Sequence, residues 1–289
     1  MTQILTIAGP APQPIAAIAL LTAAGARPGT PDWLSPGEAF DIAFEPAVEG
    51  LEPALRAAYP GCDLVVQPAT HRRKKLLVTD MDSTVITVEC IDEMADLLGL
   101  KPKIAAITER AMRGEIDFAV ALRERVALLA GLSLGDLQRV YDQRVVPMPG
   151  ARRLVRTMRR HGAHTALVSG GFDFFTGRVA AALGFDEHRG NRLIDRGGRL
   201  TGEVAEPIQG AEAKLAILTE LTGRLGLGRE NTLAMGDGAN DIPMLEAAGL
   251  GIAFRAKPKA ARAARARIDF GDLTVALYFQ GYRRDELVE

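Results

Sequence analysis

Residues 76–84 read Leu-Leu-Val-Thr-Asp-Met-Asp-Ser-Thr, an apolar run that ends in two carboxylates one residue apart. The apolar run predicts a short buried β-strand, and Ser83 with Thr84 predicts the turn into a loop. Side chains i and i+2 of a strand share a face, so Asp80 and Asp82 can point to one spot beyond the strand tip. Two carboxylates there suit a hard cation together with a nucleophilic or acid–base task.

Alone this pair is a weak signal, but later segments belong to the same pattern of apolar strand, small polar loop and helix. Residues 166–168 run into Ser-Gly-Gly-Phe at 169–172, and residues 232–235 run into Gly-Asp-Gly-Ala-Asn-Asp at 236–241. Between them, Lys214 opens an apolar helical stretch. Glycines let backbone N–H groups approach anionic oxygens, and the lysine supplies a positive charge. In this order the segments predict a site that holds a phosphoryl group beside Mg²⁺.

The composition excludes several classes of protein. The chain has 289 residues, and its 35 Lys and Arg nearly balance its 36 Asp and Glu, so no global field favours nucleic acid or a membrane. The basic stretches 71–75 and 255–267 are interpreted as a charged linker and a solvated helix face. Two cysteines, Cys62 and Cys90, indicate a reducing compartment without disulfides. The apolar segment 15–26 follows no basic residue and is too short to span a bilayer, so we expect a cytoplasmic protein.

The first 70 residues predict the order strand, helix, strand, strand, helix, strand. This order resembles the ferredoxin-like plaits of ACT regulatory modules, which are α+β units. No ligand motif stands out in the segment. It is therefore interpreted as a pairing or stabilising module, which allows a homodimer, and an amino-acid sensor stays open as the alternative. Residues 67–75, which contain a proline and several basic side chains, predict the linker.

The pattern turns helical, without strands, from Glu89 to about Val146. Pro147 and Pro149 end this insert and return the chain to alternating strands and helices. That alternation predicts an α/β core, a doubly wound parallel sheet with helices on both faces. Residues 196–198, Arg-Gly-Gly, predict the turn of a β-hairpin.

Together these segments resemble the haloacid dehalogenase (HAD) superfamily and, within it, the phosphoserine phosphatase family, from about residue 76 to the C-terminus. The resemblance implies a HAD-like core at residues 71–289 with a helical cap at about 88–147, after an ACT-like module at residues 1–70. It rests on these motifs: Asp80–Thr84, Glu89–Glu93, Arg123–Val126, Ser169–Phe172, Lys214 and Gly236–Asp241.

The two acids of the first motif suit two steps of phosphoryl transfer. Asp80 is predicted to attack phosphorus and form a phosphoaspartate, and Asp82 to give a proton to the leaving alkoxide and later take one from water. The resemblance implies that Mg²⁺ binds Asp80, the Asp82 backbone carbonyl and Asp237. The alternative that both acids are only metal ligands stays open.

Further polar residues are predicted to hold the phosphate. Ser169 and the Gly170 N–H would bind its oxygens, and Lys214, which lies on one helical stripe with three leucines, would neutralise its charge. The resemblance implies that Asn240 contacts the substrate. It also implies that Asp241 orients Lys214 or a water, with helix capping as the other interpretation.

Two residues of the predicted cap would recognise the rest of the substrate. Arg125 lies in the middle of the apolar face of the helix at 118–129, whereas Arg123 lies roughly opposite. A charge in an apolar stripe is costly unless it is paired, and a substrate carboxylate would be such a partner. An internal salt bridge to an acid of the cap is the alternative. Glu89 would meet the substrate ammonium, or act only as a helix N-terminal acid.

The hypothesis is therefore Mg²⁺-dependent hydrolysis of O-phospho-L-serine to L-serine and phosphate, the last step of serine biosynthesis. One alternative is a phosphatase or phosphotransferase that acts on another small phosphomonoester, such as phosphohomoserine or a sugar phosphate. A remote alternative is a regulatory binding protein without catalysis. The presence of Asp80, Asp82, Lys214 and Asp237 argues against that last alternative.

Overall fold

Strands and helices alternate along the whole chain in the computed structural model, which describes residues 1–289. The strands are β1 (Gln3–Ala8), β2 (Arg27–Pro28), β3 (Asp32–Ser35), β4 (Ala39–Glu45), β5 (Asp63–Pro68), β6 (Leu76–Thr79), β7 (His164–Phe172), β8 (Glu187–Asn191), β9 (Leu193–Arg196), β10 (Arg199–Val204), β11 (Thr232–Gly236), β12 (Leu250–Phe254) and β13 (Ala266–Ile268). The helices are α1 (Pro14–Ala23), α2 (Glu52–Ala58), α3 (Cys90–Asp96), α4 (Lys101–Met112), α5 (Phe118–Ala127), α6 (Leu134–Arg144), α7 (Ala151–Arg160), α8 (Asp173–Leu183), α9 (Ala211–Arg224), α10 (Ile242–Ala247), α11 (Pro258–Ala263) and α12 (Val275–Phe279). Single 3₁₀ turns lie at Arg229–Asn231, Ala239–Asp241 and Arg284–Glu286.

The larger sheet has six parallel strands in the order β13-β12-β11-β6-β7-β8. Its central strand β6 is apolar along both faces and is fully buried. Leu76 and Val78 belong to an apolar cluster with α9 and α10, and Leu77 belongs to a cluster on the other side with α7 and α8. Burial on both faces is why this strand is a continuous apolar run and not an alternating pattern.

The chain changes direction across this sheet at β6. It first adds β7 and β8 on one side and then crosses to add β11, β12 and β13 on the other. In such doubly wound sheets the carboxyl ends of the strands that flank the crossover form a crevice. The crevice here is bordered by the ends of β6, β7 and β11. The predicted α/β fold class is confirmed.

Helices α3 to α6 form an insert between β6 and α7, at the position predicted for the cap. The chain enters and leaves this insert through two short segments that lie side by side. The Thr87 N–H donates to the Val146 carbonyl at 3.0 Å, and the Met148 N–H donates to the Val85 carbonyl at 2.8 Å. The cap therefore joins the core through one two-stranded ribbon.

The predicted hairpin forms from β9 and β10 and packs on the cap. Its turn residues Gly197 and Gly198 have φ of +62° and +75°, as a two-residue hairpin turn requires. The Leu200 N–H donates to the Leu132 carbonyl at 2.8 Å, and the Gly131 N–H donates to the Leu200 carbonyl at 2.9 Å. The hairpin thus extends the cap, although it begins almost fifty residues after α6 ends.

The N-terminal segment forms an α+β unit, which we call the plait, and its elements follow the predicted order with β2 as an additional strand. Its antiparallel sheet has the order β2-β4-β1-β5 with β3 beside β4, and α1 and α2 pack on one face. The opposite face meets the core, because Ala8, Ala39 and Val65 belong to the same apolar cluster as Val275 and Tyr278 of α12. The two units therefore share an apolar core.

The predicted linker at residues 67–75 is shorter and more constrained than expected. Its first two residues belong to β5. Arg72 forms an ion pair with Asp41 at 2.7 Å, and the Lys74 ammonium donates to the Glu230 carbonyl at 2.8 Å. The basic side chains thus join the two units and do not extend into solvent as a free linker would.

The apolar segment predicted at residues 15–26 forms α1, which buries Ala17 and Leu21 against the plait. Its opposite side carries Ile15, which is largely exposed. None of the helices in the structure has the length and apolar character needed to cross a membrane.

Candidate active site

A cavity of about 430 Å³ lies at the carboxyl edge of the parallel sheet, under the cap. Asp80, Asp82 and Asp237 lie on its core side, and we call these three residues the acidic floor. Glu89 and Arg125 lie on its cap side. The structure therefore brings residues from distant parts of the chain to one space.

Asp80 follows β6 directly and is buried. Its Oδ1 accepts hydrogen bonds from the Met81 N–H at 2.8 Å and from the Lys214 ammonium at 2.8 Å. Its Oδ2 accepts no hydrogen bond from the protein and is free for a bond to an incoming atom. Burial and the neighbouring Asp241 raise the pKa of Asp80, while Lys214 lowers it, so the ionised form depends on nearby positive charge.

Lys214 lies in the first turn of α9 and is fully buried between two carboxylates. Its ammonium lies 2.6 Å from Asp241 Oδ1 as well as 2.8 Å from Asp80. Burial alone would lower the pKa of Lys214, but the two carboxylates outweigh burial and raise it, so the lysine is a fixed positive charge. The other Asp241 oxygen accepts the N–H groups of Asp237 and Gly238 at 3.1 and 2.9 Å. Asp241 therefore both holds Lys214 and closes the turn after β11.

Asp82 faces the cavity from the loop after β6. Its Oδ1 accepts the Cys90 N–H at 3.0 Å, and its Oδ2 accepts the Ser169 hydroxyl at 3.3 Å. Burial, with a further contribution from the negative charge of Glu89, raises the pKa of Asp82 to about 6. A carboxyl group with that pKa can both give and take a proton near neutral pH.

Ser169 and Gly170 line the cavity from the last part of β7, where the sequence predicted a loop but the strand continues with a shift in its pairing with β8. The Ser169 hydroxyl oxygen accepts the Gly171 N–H at 2.8 Å, which fixes this end of the strand. A Cβ on Gly171 would lie 2.7 Å from Asp82 Oδ2, so only glycine fits beside that acid. The Asn191 side-chain amide, at the end of β8, donates to the Gly170 carbonyl at 2.8 Å and so holds this end of β7. Asn191 was not identified from the sequence as part of the site.

On the cap side, Arg125 is only partly exposed and forms no ion pair. Its Nε donates to the Ala121 carbonyl of its own helix at 3.2 Å. Burial lowers the pKa of Arg125, and the charges of Asp92 and Glu89 oppose that shift without contacting the guanidinium. The internal salt bridge considered from the sequence is therefore absent. Glu89 accepts the Ser83 hydroxyl at 2.7 Å and immediately precedes α3.

Several residues around the cavity were not identified from the sequence. Phe118 and Met112 of the cap line it, and Phe118 lies close enough to Gly170 that a Cβ there would be 3.1 Å from the ring. Lys257, from the loop after β12, also lines it. The helical periodicity around Met112 and Phe118 does not distinguish them from ordinary surface residues. The local charge around Lys257 does not distinguish it either. The predicted residue Asn240 does lie at the cavity.

The acidic residues fit a divalent cation. One carboxylate oxygen each of Asp80, Asp237 and Asp241 lies within 4.8 Å of the others. All three side chains are buried, and Lys214 balances only one of their charges. Burial raises the pKa of Asp237 to about 6, and the exposed Lys257 ammonium only partly opposes that shift. Both Asp241 oxygens already accept from Lys214 or from backbone N–H groups, so Asp80 and Asp237 are left to bind an ion. Such oxygen ligands with excess negative charge suit Mg²⁺.

Comparison with known proteins agrees with this geometry. A family model described as haloacid dehalogenase-like hydrolase matches residues 77–246. A phosphoserine phosphatase from Polaromonas sp. is 47% identical over 219 residues, which are 73% of this chain and 93% of that protein. A HAD family hydrolase from Salmonella enterica serovar Typhi has a TM-score of 0.87 at 30% identity, over 96% of this chain and 98% of that one.

A second solved structure is described as a phospho-aspartyl intermediate analogue of phosphoserine phosphatase. It has a TM-score of 0.66 at 39% identity and covers 72% of this chain and 99% of that one. Because the family model spans more than half of the chain and the Polaromonas relative is matched almost throughout, the family is established. The chain belongs to the haloacid dehalogenase-like hydrolases and, within them, to the phosphoserine phosphatase family.

Proposed function

We propose that this protein hydrolyses O-phospho-L-serine to L-serine and phosphate. One observation carries the proposal: a single cavity has Asp80 and Asp82 on the core side and the unpaired Arg125 with Glu89 on the cap side. Arg125 would bind the substrate carboxylate and Glu89 its ammonium, while the phosphate lies at the acidic floor. An ester without an amino-acid group would leave the cap-side charges without partners.

In the first step, Asp80 Oδ2 attacks phosphorus, the bond from phosphorus to the serine oxygen breaks, and a phosphoaspartate forms. Asp82 gives its proton to the leaving alkoxide, which a pKa near 6 permits. In the second step, Asp82 takes a proton from water, the water oxygen attacks phosphorus, and the bond to Asp80 breaks to release phosphate. The solved phospho-aspartyl intermediate analogue of a phosphoserine phosphatase, which is 39% identical to this chain, supports such an intermediate.

Other residues would stabilise the transferred group. Ser169 and the Gly170 N–H would bind phosphate oxygens, and Lys214 would offset the charge on the group from its fixed position between two carboxylates. Asn240 would contact the substrate. Asp80, the Asp82 carbonyl and Asp237 would hold Mg²⁺, which supplies positive charge that stabilises the phosphoryl group.

Phosphate release from a panel of esters tests the proposal. The panel contains phosphoserine, phosphohomoserine, phosphoethanolamine, which lacks the carboxylate, and a sugar phosphate, each with Mg²⁺ and with excess chelator. We expect phosphoserine to have the highest kcat/KM and chelator to stop release reversibly. Asp80→Asn should lose at least about a thousandfold in kcat, with Asp142→Asn on the exposed face of α6 as the matched control. Equal rates on all esters, or full activity without metal, would contradict the proposal.

Further parts of the hypothesis are also proposals. We propose that the reaction is the last step of serine biosynthesis, in the cytoplasm, and that two copies pair through the N-terminal module. We also propose that residues 1–70 form an ACT-like module and residues 71–289 the catalytic unit, with the cap at about 88–147. Sedimentation of the protein across a range of concentrations tests the pairing.

A further inference from the structure

Lys257 lies at the mouth of the cavity, in a basic stretch that the sequence indicated to be a solvated face. It follows β12 and immediately precedes α11. Its backbone N–H donates to the Asp237 carbonyl at 2.9 Å, so the loops after β11 and β12 are joined at this point. Its ammonium lies 3.8 Å from Asp237 Oδ2, and its side chain is 57% exposed. The backbone is thus fixed to the acidic floor while the charge stays in contact with solvent.

The three cations around the cavity differ in how free they are. Lys214 is buried and shared by two carboxylates, so it cannot move toward a ligand that is still in solution. Arg125 lies on the cap side, away from the floor, and is largely covered. Lys257 is the exposed cation beside the floor, and its one ion pair is long. Such an exposed pair contributes little energy and is readily exchanged for another anion.

We propose that Lys257 is the docking cation for the substrate phosphate. Its ammonium attracts the phosphate from solution and guides it to the acidic floor, where it binds. The inference rests on the proposed function, because it assumes that the phosphate binds at the floor. The carboxylates of the floor oppose part of the attraction that Mg²⁺ would exert on a phosphate dianion, and Lys257 adds positive charge at the mouth, 3.8 Å from Asp237 Oδ2. Charges at the mouth of a cleft act mainly on the rate of association, and salt screens that action.

This role predicts a specific kinetic pattern. Removal of the charge should lower kcat/KM for phosphoserine about tenfold at low ionic strength and leave kcat within about twofold. The difference from wild type should shrink toward zero at about 0.5 M salt, where charges more than a few ångströms apart are screened. A residue with a purely structural role would not show this dependence on salt.

The test compares Lys257→Met with Lys259→Met. Lys259 lies in α11, is exposed and does not line the cavity, so both variants lose one charge from the same short segment. We would measure kcat and KM for phosphoserine at several salt concentrations. Independently, calorimetry would measure the binding of inorganic phosphate in the presence of Mg²⁺. We expect Lys257→Met to weaken phosphate binding about tenfold at low salt and Lys259→Met to change it less than twofold.

The outcomes separate the two proposals. If the two lysine variants behave alike in both measurements, or if Lys257→Met lowers kcat at unchanged KM, the docking role is wrong. If wild type releases phosphate from no ester, the proposed function is wrong. The calorimetric comparison then still decides whether Lys257 attracts phosphate to this cavity.

Discussion

For the single charged residues of this site, burial and the nearest partner determine what each group can do. Lys214 is buried beside two carboxylates that compensate it, so its charge is permanent. Arg125 is partly buried with no acidic partner, which leaves its hydrogen-bonding capacity for a ligand. Asp82 is buried next to Glu89, which raises its pKa to about 6, so its proton can move near neutral pH. The same physical effect, desolvation, thus gives three different outcomes.

Arg125→Ala should damage phosphoserine hydrolysis far more than hydrolysis of an aryl phosphate that has no carboxylate. Loss of one charge-assisted bidentate contact costs about 2–4 kcal/mol, roughly thirty- to thousand-fold in kcat/KM for phosphoserine. The aryl ester should change only a few fold, because Asp80 acts on every ester. Steady-state kinetics with both substrates measures this ratio.

Arg123→Ala is the matched control for that ratio. Arg123 lies two residues away on α5, is exposed and pairs with Glu206 at 2.5 Å on the surface. Its removal should cost well under 1 kcal/mol and affect both substrates equally. If the two arginine variants prove equally mild on phosphoserine, the assignment of the substrate carboxylate to Arg125 is wrong.

Lys74 should make the stability of the protein depend on pH in the alkaline range. Its ammonium is buried and donates to the carbonyls of His71 and Glu230. Burial, assisted by Arg265, lowers the pKa of Lys74 from 10.5 to about 8. Between these values the unfolded chain holds the proton and the folded chain does not, so the free energy of unfolding rises with pH through that window.

Lys74→Met removes this titration and isolates its effect. Chemical denaturation at pH 7 and pH 9.5 should show wild type gaining about 2 kcal/mol relative to the variant, since 1.5 pH units above the folded pKa correspond to about that energy. Other groups that titrate in this range affect both proteins and cancel in the difference. A pH-independent difference would show that the folded pKa of Lys74 is not depressed.

At the scale of elements, the polar segments at the ends of apolar strands were predictable and the contacts between distant segments were not. The order of strands placed Asp80, Ser169 and Asp237 at one sheet edge, because the carboxyl ends of parallel strands share that edge. Arg125 was identified from helical periodicity, because the periodicity of a single helix shows which side chains share its apolar face. Lys257 could not be found this way, since its position depends on a hydrogen bond to the loop after β11.

The hairpin of β9 and β10 offers a test of how the cap is held. Gly202 has a φ of +87°, and a Cβ there would lie 3.0 Å from the Ala130 Cβ and 3.3 Å from the Ala127 carbonyl oxygen. Gly202→Ala should therefore add overpacking to backbone strain and cost about 2–4 kcal/mol of unfolding free energy. It should also raise KM for phosphoserine, because α5 carries Arg125.

Gly197→Ala supplies the matched comparison. Gly197 also has a positive φ, +62°, but an added Cβ would meet nothing within 4 Å. This variant should cost only the backbone strain, about 1–2 kcal/mol, and leave KM unchanged. Thermal and chemical unfolding with steady-state kinetics measures both effects. An equal loss of unfolding free energy in the two variants would mean that the contact between hairpin and cap contributes nothing to stability.

For the whole molecule, the sequence indicated a module separated by a basic linker, but the structure shows extensive contact between the units. Besides the shared apolar cluster, the buried carboxylate of Asp63 accepts the N–H groups of Asp269, Phe270 and Gly271 at 2.7, 3.3 and 2.8 Å. These partners are more than two hundred residues away in the chain. No local pattern marks such a contact, so linker composition alone could not reveal it.

Asp63→Asn should loosen this junction. The amide has nearly the shape of the carboxylate, but its NH₂ group would face backbone N–H donors and leave at least one of them unpaired. We expect a loss of about 2–4 kcal/mol of unfolding free energy, against no more than about 0.5 for Glu49→Gln on the exposed surface. Trp33, the only tryptophan, reports on the plait, and circular dichroism reports on the whole chain. If the unfolding transitions of Asp63→Asn followed by the two probes coincide and are not shifted from those of wild type, the expected role of Asp63 is contradicted.

The junction also has a consequence for association between strands of different molecules. Edge strands β5 and β13 of the two sheets lie next to each other, so each covers a row of backbone groups that could otherwise pair with another chain. The two remaining edges are poor templates for aggregation. Strand β8 carries Glu187, His188 and Arg189, and the edge formed by β2 and β3 is interrupted by Pro28 and Pro31. By joining its two sheets at their edges, the chain protects itself against fibrous aggregation.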